Sequence, residues 1–370
     1  MILFQVKFYL QCEEHLEDIK INIQKVENLV IGAGVFGLSA SNYLLDKGQE
    51  VCLIDKSSNF DEASSNALGR IDPILGGAGH GNETKPLDVA KISLGAYKKF
   101  IELDNKFKNN IDFEVKPTLH FYENDSEYKN IKKVIDLIDP KEKYFSIDLY
   151  ENKTDAISLS KNKFAKFDGT IFIDSKKYQN NLFDNFIKSG GDFIKNEITE
   201  INTLGNNLEV ISDKEKYITK RIIIAAGPWT NAIKGINIKQ KIFPSKGQIL
   251  KLSDPENTFT DFHLHGPCSI VKKKDGLIWI AATVEDKDFD KSKTDYAKNY
   301  LFEKSSQIVS NIKDYNFHSQ TACLRPSNEN DLPFIEKVAD KEIYLASGGG
   351  GWGIMMSILV GEILYKIIRD

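Results

Sequence analysis

The stretch Leu29-Val-Ile-Gly-Ala-Gly-Val-Phe-Gly-Leu-Ser-Ala-Ser-Asn-Tyr-Leu-Leu45, followed by Val51-Cys-Leu-Ile-Asp55, decides the fold. It predicts an apolar strand, a glycine turn, a helix and a second strand that ends in an acid. Gly32, Gly34 and Gly37 fit the pattern G-x-G-x-x-G, and the final acid follows the last of these glycines by 18 residues. A unit of this order and spacing is typical of dinucleotide binding.

Each residue type in this unit has a physical reason. The first glycine permits a sharp turn, the second lets a pyrophosphate approach the backbone, and the third lets the helix pack closely on the strand. The N-terminus of the helix directs free N–H groups at the phosphates. Asp55 is placed to accept hydrogen bonds from a ribose diol, and its charge disfavours a 2′-phosphate.

Composition narrows the class of protein. Of the 370 residues, 41% are hydrophobic and 28% are charged, as in a globular protein with a substantial core. The net charge of −4 argues against nucleic acid as a partner.

No run of 18 apolar residues predicts a transmembrane helix, and the acids after Met1–Leu10 argue against a signal peptide. Four scattered cysteines and six histidines without ligand spacing predict neither disulfides nor a metal site. We expect a cytoplasmic location, with peripheral membrane association still compatible.

Segments typical of a parallel sheet recur in separated parts of the chain, at 28–55, 170–226 and 343–368. The segments between them alternate as in antiparallel strands. This order predicts a mixed α/β fold, with a Rossmann-like nucleotide domain interrupted by a mostly antiparallel β-sheet substrate domain. The predicted nucleotide domain comprises residues 28–85, 165–235 and 323–370, the predicted substrate domain comprises 86–164 and 236–322, and residues 1–27 form an extension of unknown role.

Two local patterns predict turns and loops. The segment Ser64–Gly81 is rich in Gly, Ser, Asn and Pro, which indicates an ordered loop beside the ligand. The basic run Lys272-Lys-Lys274 precedes Asp275-Gly276, which favours an exposed hairpin turn over a binding patch.

Residues 29–55 are called the dinucleotide fingerprint below. Three further motifs follow it in the sequence: Arg221-Ile-Ile-Ile-Ala-Ala-Gly-Pro-Trp-Thr230, the hairpin Ser269–Asp286, and Leu324-Arg-Pro-Ser-Asn-Glu-Asn-Asp-Leu-Pro-Phe-Ile335 with Gly348-Gly-Gly-Gly-Trp-Gly353. Their order and spacing resemble the flavin-dependent amino-acid and amine oxidases of the D-amino-acid oxidase superfamily. The closest resemblance is to the branch of glycine oxidase, sarcosine oxidase and D-amino-acid dehydrogenase. It covers residues 28 to 370.

This resemblance implies FAD as the cofactor. We expect non-covalent binding, and the alternative is a covalent link at Cys323, close to where sarcosine oxidases attach flavin. Arg70 is expected to neutralise phosphate. The glycine turn precedes a helix whose N-terminus stabilises the negative charge of a reduced flavin. The FAD-binding residues implied are Gly32, Gly34, Val35, Phe36, Gly37, Asp55, Lys56, Ser64, Ser65, Asn66, Arg70, Ile198, Ala226, Gly227, Trp229, Arg325, Gly349, Gly350, Gly351, Trp352, Gly353 and Ile354.

The same resemblance implies that Arg325, in its Leu-Arg-Pro motif, binds the substrate carboxylate. A guanidinium pairs with a carboxylate through two parallel hydrogen bonds, which fixes the orientation of the substrate. Glycine oxidases carry a Tyr where Ser269 stands here, so a hydroxyl that helps to hold the carboxylate is missing from its usual place. Ser269 itself, His265 and Tyr296 remain candidates for that role.

The implied reaction is oxidation of the C–N bond of a small amino acid or N-alkyl amino acid, by hydride transfer to the flavin N5. The electrons then pass to O₂ or to a quinone or electron-transfer partner. Two alternatives stay open. One is oxidation of a hydroxy acid or a glycerol phosphate, which needs two or more basic residues in the substrate domain. The other is a flavin-binding subunit of a larger complex without amine oxidation of its own. An oligomer is compatible with the sequence.

Overall fold

The computed structural model describes residues 23–72, 86–122, 125–136, 147–150, 164–286, 288–330, 332–338 and 341–369. The strands are β1 (Ile23–Ile31), β2 (Val51–Asp55), β3 (Arg70–Ile71), β4 (Glu114–Phe121), β5 (Ile147–Tyr150), β6 (Phe164–Phe172), β7 (Asp192–Lys195), β8 (Ile198–Leu204), β9 (Asn207–Ser212), β10 (Lys216–Ile224), β11 (Ile242–Ser253), β12 (His263–His265), β13 (Ser269–Lys272), β14 (Leu277–Ala281), β15 (Asn316–Asn328), β16 (Phe334–Lys337) and β17 (Ile343–Ser347). The helices are α1 (Val35–Asp46), α2 (Ala63–Asn66), α3 (Pro86–Glu102), α4 (Asn105–Asn110), α5 (Asp125–Asp136), α6 (Ser175–Lys188), α7 (Asp295–Ser306) and α8 (Gly353–Arg369), with 3₁₀ turns at Gly227–Ala232 and Ile312–Asp314.

The first sheet has the order β16-β17-β10-β1-β2-β7, with β9 paired to β10 and β8 paired to β9. The five strands from β17 to β7 run parallel. Its central strands are buried on both faces, as their apolar sequences predict. Val30 and Ile223 pack in one cluster with Leu38 of α1, whereas Leu29 and Ile222 pack in another with residues of β8 and β9.

The second sheet has the order β15-β11-β14-β13-β12-β4-β6-β3, with β5 paired to β6. Its neighbours are antiparallel except for β12 and β4, which run parallel. The two sheets confirm the predicted fold class, a Rossmann-like unit combined with a mostly antiparallel sheet. The long strands β11 and β15 pair along nearly their whole length, from Ile242 opposite Asn328 to Ser253 opposite Asn316.

The structure differs from the predicted segment boundaries at three points. β1 begins at Ile23, inside the predicted extension 1–27; residues 1–22 lie outside the described residues. β3 and β6 pair with each other in the second sheet, so the predicted segments 28–85 and 165–235 each include strands of that sheet. β15 also extends five residues past the predicted boundary at 323. A short apolar strand buried on both faces has the same sequence pattern in either sheet, which is why the pattern did not separate them.

Two local predictions also need correction. The start of the predicted loop Ser64–Gly81 contains helix α2 and strand β3, and its residues 73–81 lie outside the described residues. The hairpin turn after β13 is present, but Lys273 is buried rather than exposed. Its ammonium donates hydrogen bonds to the carbonyl oxygens of Leu68 and Ile173, both at 2.8 Å. The long stem of a lysine lets it reach such buried acceptors.

No helix in the described parts of the chain is long and apolar enough to cross a membrane. α8, the apolar C-terminal helix, buries Met355, Met356, Val360 and Leu364.

Candidate active site

A cavity of about 530 Å³ runs from the turn after β1 to the second sheet. Its walls come from four places: the β1–α1 turn, the segment 62–72, the end of β10, and the turn before α8. The second sheet closes it with β11, β12, β13 and β15. All four sequence motifs therefore face one cavity, within the size range of ligand pockets.

The β1–α1 turn has the geometry that the fingerprint predicts. Gly32 has φ +105°, and a Cβ there would overlap the carbonyl of Ala225 in the neighbouring strand. Gly37 lies against the carbonyl of Gly32, so it packs helix on strand and does not line the cavity. Gly34 lines the cavity, and an added Cβ would meet only the Ser64 hydroxyl, at 3.3 Å. At Gly34 the turn therefore leaves space for a ligand to approach the backbone.

The N-terminus of α1 is available to an anion. The N–H of Val35 donates to the Ser64 hydroxyl at 3.1 Å, a hydrogen bond that a hydroxyl gives up easily to a phosphate oxygen. No acid stands in the first turn of α1. Free N–H groups and the helix dipole favour negative charge at this position.

Asp55 is held rigidly at the end of β2. One carboxylate oxygen accepts the N–H of Ala33 at 2.7 Å, and the other accepts the N–H of Ser57 at 2.8 Å. Each oxygen retains a lone pair toward the cavity that Asp55 lines, because a carboxylate has about four acceptor positions. The fixed carboxylate suits the role of accepting from a ribose diol.

The remaining predicted FAD-binding residues differ in whether they line the cavity and in whether their polar groups are free to face it. Ser65 turns back to the Glu62 carbonyl at 3.2 Å and does not line the cavity. Asn66 lines the cavity, but its amide donates to the Glu62 carbonyl at 3.0 Å. Lys56 lies over the Trp229 ring, 3.7 Å from its centre, so the pair forms one wall. The others that line the cavity are Val35, Phe36, Ser64, Arg70, Ile198, Ala226, Gly227, Arg325, Gly349, Gly350, Gly351, Trp352, Gly353 and Ile354.

The glycine turn before α8 is tied to β15. The N–H of Gly350 donates to the carbonyl of Pro326 at 2.9 Å. This hydrogen bond joins the turn to the residue that follows Arg325, so the predicted carboxylate-binding side chain and the start of α8 lie in one neighbourhood. Burial raises the pKa of the Cys323 thiol, which lies two residues before Arg325 and lines the same cavity.

Arg325 is positioned by two neighbours, one just after the end of β14 and one on β11. Its guanidinium donates to the carbonyl of Thr283 at 3.0 Å. It lies over Gly247 of β11, where a Cβ would overlap the Nη2 atom. The sequence prediction missed both residues. A glycine inside a strand does signal a close approach, and Gly247 within β11 is such a glycine.

Arg70, His265 and Ser269 come together in the cavity although they are far apart in sequence. The Nη1 of Arg70 donates to His265 Nδ1 at 3.0 Å and to the Ser269 hydroxyl at 3.3 Å. The same hydroxyl lies 2.7 Å from His265 Nδ1. A guanidinium has no acceptor, so Nδ1 is the unprotonated nitrogen of a neutral imidazole. Tyr296, the other candidate, is 72% exposed on the surface and does not line the cavity.

Two more histidines form a layer behind His265. The His120 ring meets the His265 ring edge to face, with centres 4.8 Å apart. Burial lowers the pKa of His263 well below its ordinary value, and electrostatic interactions with Arg70 and His120 lower it further. His263 is therefore neutral at physiological pH. Among the described residues, no group of three or more His, Cys, Asp and Glu side chains is arranged to hold a metal ion.

A nucleotide fingerprint, a helix N-terminus open to an anion and a guanidinium in one cavity are typical of a dinucleotide-dependent enzyme. The sequence matches the family described as FAD dependent oxidoreductase over residues 28–367, and the chain belongs to that family. It is 22% identical to the glycine oxidase of Bacillus licheniformis, over 93% of each chain. The crystal structure of glycine oxidase from Geobacillus kaustophilus superposes with a TM-score of 0.80 at 17% identity, over 94% of this chain and 95% of that one. The L-α-glycerophosphate oxidase of Mycoplasma pneumoniae, a structure with FAD bound, gives a TM-score of 0.79 at 17% identity and the same coverage.

The chain is therefore an FAD-dependent enzyme, and its cavity suits that cofactor. The backbone opens at Gly34, where a pyrophosphate needs to approach, and the α1 N-terminus faces the same place. A rigid carboxylate stands at the end of the adjacent strand. The cavity then continues past the glycine turn to the polar groups of the second sheet.

Proposed function

We propose that the enzyme oxidises the C–N bond of a small amino acid or N-alkyl amino acid. The observation that carries the proposal is Arg325, whose guanidinium lines the cavity beside the turn before α8. In the part of the chain that the structure describes, its hydrogen-bond partner is a carbonyl, and it forms no ion pair. Most of its five N–H donors thus remain for a substrate carboxylate.

The residues of the chain act in this proposal mainly by positioning. Thr283 fixes one N–H of Arg325, and Gly247 gives the guanidinium room to lie flat over β11. The bound carboxylate then sets where the neighbouring carbon lies. FAD supplies a two-electron acceptor that takes a hydride from that carbon, and water hydrolyses the resulting imine to an oxo acid and an amine.

The proton on the substrate amine matters because only the neutral amine releases hydride. The imidazole of His265 is neutral, with Nδ1 already accepting from Arg70 and near the Ser269 hydroxyl. We propose that the amine enters in its neutral form and that no side chain of the cavity needs to act as a base. The rate of flavin reduction should then rise with pH as more of the amine is neutral.

We further propose that FAD is held without a covalent bond, since burial keeps the Cys323 sulfur as a protonated thiol and only a thiolate is nucleophilic. Acid precipitation should release the flavin into solution. Flavin that stays with the precipitate, and is lost in Cys323→Ser, would establish the covalent alternative. The final electron acceptor, O₂ or a quinone, and a cytoplasmic location are also parts of this proposal.

A second candidate function is oxidation of a hydroxy acid or glycerol phosphate. It is favoured by a second guanidinium, that of Arg70, in the same cavity, because a phosphate needs more than one cation. The experiment that separates the two is an anaerobic screen of the FAD-loaded enzyme. Loss of the oxidised-flavin absorbance with glycine, N-methylglycine or proline supports amine oxidation. Loss with lactate or glycerol 3-phosphate alone would replace it with the second candidate.

A further inference from the structure

The charge of Arg70 is matched by no ion pair within the described residues. Its partners there are the His265 imidazole and the Ser269 hydroxyl, both neutral. Burial lowers the pKa of Arg70, and the nearby charge of Asp72 opposes this effect. Asp72 itself accepts the Thr170 hydroxyl at 3.3 Å. A cation away from water is costly unless an anion compensates it, and Arg70 lines the cavity, where a ligand can supply that anion.

The position of Arg70 relative to Arg325 follows from the order of strands. Arg325 lies over Gly247 of β11, and Arg70 lies beside Ser269 of β13. One strand, β14, separates β11 from β13. The register places Ser269 level with Ile249, two residues along β11 from Gly247. Two strand spacings and this offset along the strand put the guanidiniums roughly 12 Å apart. A hydrogen bond at each end leaves a span of roughly 6 Å, which matches the outer oxygens of two acid groups separated by about three atoms.

Ser269 and His265 shape this second position for an anion. Ser269 has a small side chain, so Arg70 reaches over it without obstruction. Its hydroxyl can turn from His265 Nδ1 toward a ligand oxygen, which adds a donor beside the guanidinium. The neighbouring acceptors are weak, since a neutral imidazole nitrogen binds a guanidinium less strongly than a carboxylate does.

We propose that Arg70, with Ser269 and His265, binds a second anionic group of the substrate, so that the enzyme prefers amino acids with two acid groups. This inference rests on the proposed function, because it takes Arg325 as the site of the first carboxylate. The second group is a carboxylate, or a phosphonate or phosphate of similar reach. Amino acids with a neutral or apolar side group supply no anion to Arg70 and are poorer substrates.

The test uses three N-substituted glycines that share one amine and one carboxylate and have no stereocentre: N-methylglycine, iminodiacetate and N-(phosphonomethyl)glycine. Each is mixed anaerobically with the FAD-loaded enzyme, and the substrate dependence of flavin reduction gives an apparent dissociation constant. The parent enzyme should bind iminodiacetate about 10- to 100-fold more tightly than N-methylglycine. A still stronger preference for the phosphonate would support the same subsite with a phosphate-type ligand.

Variants assign the preference to Arg70. Arg70→Gln should remove the preference for two acid groups, so that the apparent dissociation constants of iminodiacetate and N-methylglycine lie within about twofold of each other. Arg369→Gln, which removes the same charge at an exposed helix end, should change neither. If Arg70→Gln does not load FAD, Arg70→Lys replaces it and should keep only part of the preference. No preference in the parent, or an equal weakening of all three compounds in the Arg70 variant, would overturn the proposal.

The proposed function can fail separately from this inference. If none of the three N-substituted glycines reduces the flavin, amine oxidation is wrong, and binding is measured instead from the change that glutarate and acetate cause in the spectrum of the oxidised flavin. Tighter binding of glutarate, lost in Arg70→Gln, would support the second anion position alone. Equal binding of glutarate and acetate would overturn it.

Discussion

At the scale of single residues, Arg325 has the clearest assigned role. A lysine cannot reproduce the planar pair of hydrogen bonds, so Arg325→Lys should keep the fold and the flavin yet lose at least about 2 kcal/mol of affinity for amino-acid substrates. The loss should be small for the same amines without a carboxylate. Stopped-flow flavin reduction with an amino acid and its decarboxylated analogue measures both, and Arg369→Lys is the control. Equal slowing of both substrates would mean that Arg325 is structural.

Gly247 has a role that depends on Arg325. Gly247→Ala places a methyl group against the end of the Arg325 side chain, which can move, so the fold should survive while the guanidinium shifts. We expect a loss of about 1–3 kcal/mol in amino-acid affinity with FAD content unchanged. Gly95→Ala is the matched control, because that glycine faces open space on α3. Unchanged affinity in Gly247→Ala would show that the guanidinium does not depend on this approach.

Asp55 is the residue expected to hold the ribose. Asp55→Ala should weaken FAD binding by about 1–3 kcal/mol through the loss of charged hydrogen bonds. Flavin occupancy after dilution measures the effect, and Asp46→Ala, an exposed acid at the end of α1, is the control. Thermal unfolding of both variants separates lost FAD affinity from lost support of the Ala33 and Ser57 backbone. The same occupancy in all three proteins would exclude the ribose role.

At the scale of elements, the β13–β14 hairpin buries Lys273. Burial lowers the pKa of Lys273 from 10.5 to about 8, against the nearby charges of Asp174 and Asp275. Between these pH values the unfolded chain holds a proton that the folded chain does not. The free energy of unfolding contributed by this group therefore increases as the pH rises from about 8 to 10.5, and below about pH 8 the full cost of burial is present.

Lys273→Met removes this titration. Relative to the variant, the parent should gain stability as the pH rises through that range, which denaturant unfolding at several pH values measures. Lys274→Met, at the exposed neighbouring position, should follow the parent. If the free energy of unfolding had the same pH dependence in the parent and in Lys273→Met, the Lys273 ammonium would not be buried away from water as the structure shows.

At the scale of the whole molecule, the sequence predicted the parallel sheet well because its strands are continuous apolar runs joined by characteristic turns. Asp55 and the glycines at 32 and 34 could be located for the same reason: local backbone geometry dictates those residue types. The domain boundaries were less predictable. β6, with Phe164, Phe167 and Phe172 fully buried, is as apolar as a parallel strand but belongs to the second sheet.

The groups that meet across long sequence distances could not be read from the sequence. Arg70 and His265 are 195 positions apart, and no local pattern states that they share a hydrogen bond. Arg70 was assigned to phosphate because it follows the fingerprint, whereas its guanidinium lies against the second sheet. That phosphate role stays a prediction, as do the other residue roles toward FAD and substrate. In the second sheet β4 and β6 lie between β3 and β12, so the pairing of strands does not make these two residues neighbours either.

The central claim is that this FAD-dependent enzyme oxidises an amino acid at its C–N bond. The most direct test is a single anaerobic turnover of the FAD-loaded enzyme with an amino acid selected from the screen, followed by analysis of the products. We predict one oxo acid and one ammonia or amine for each flavin reduced, with a rate that rises with pH. The claim would be contradicted if a hydroxy acid or glycerol phosphate reduced the flavin and no amino acid or N-alkyl amino acid did.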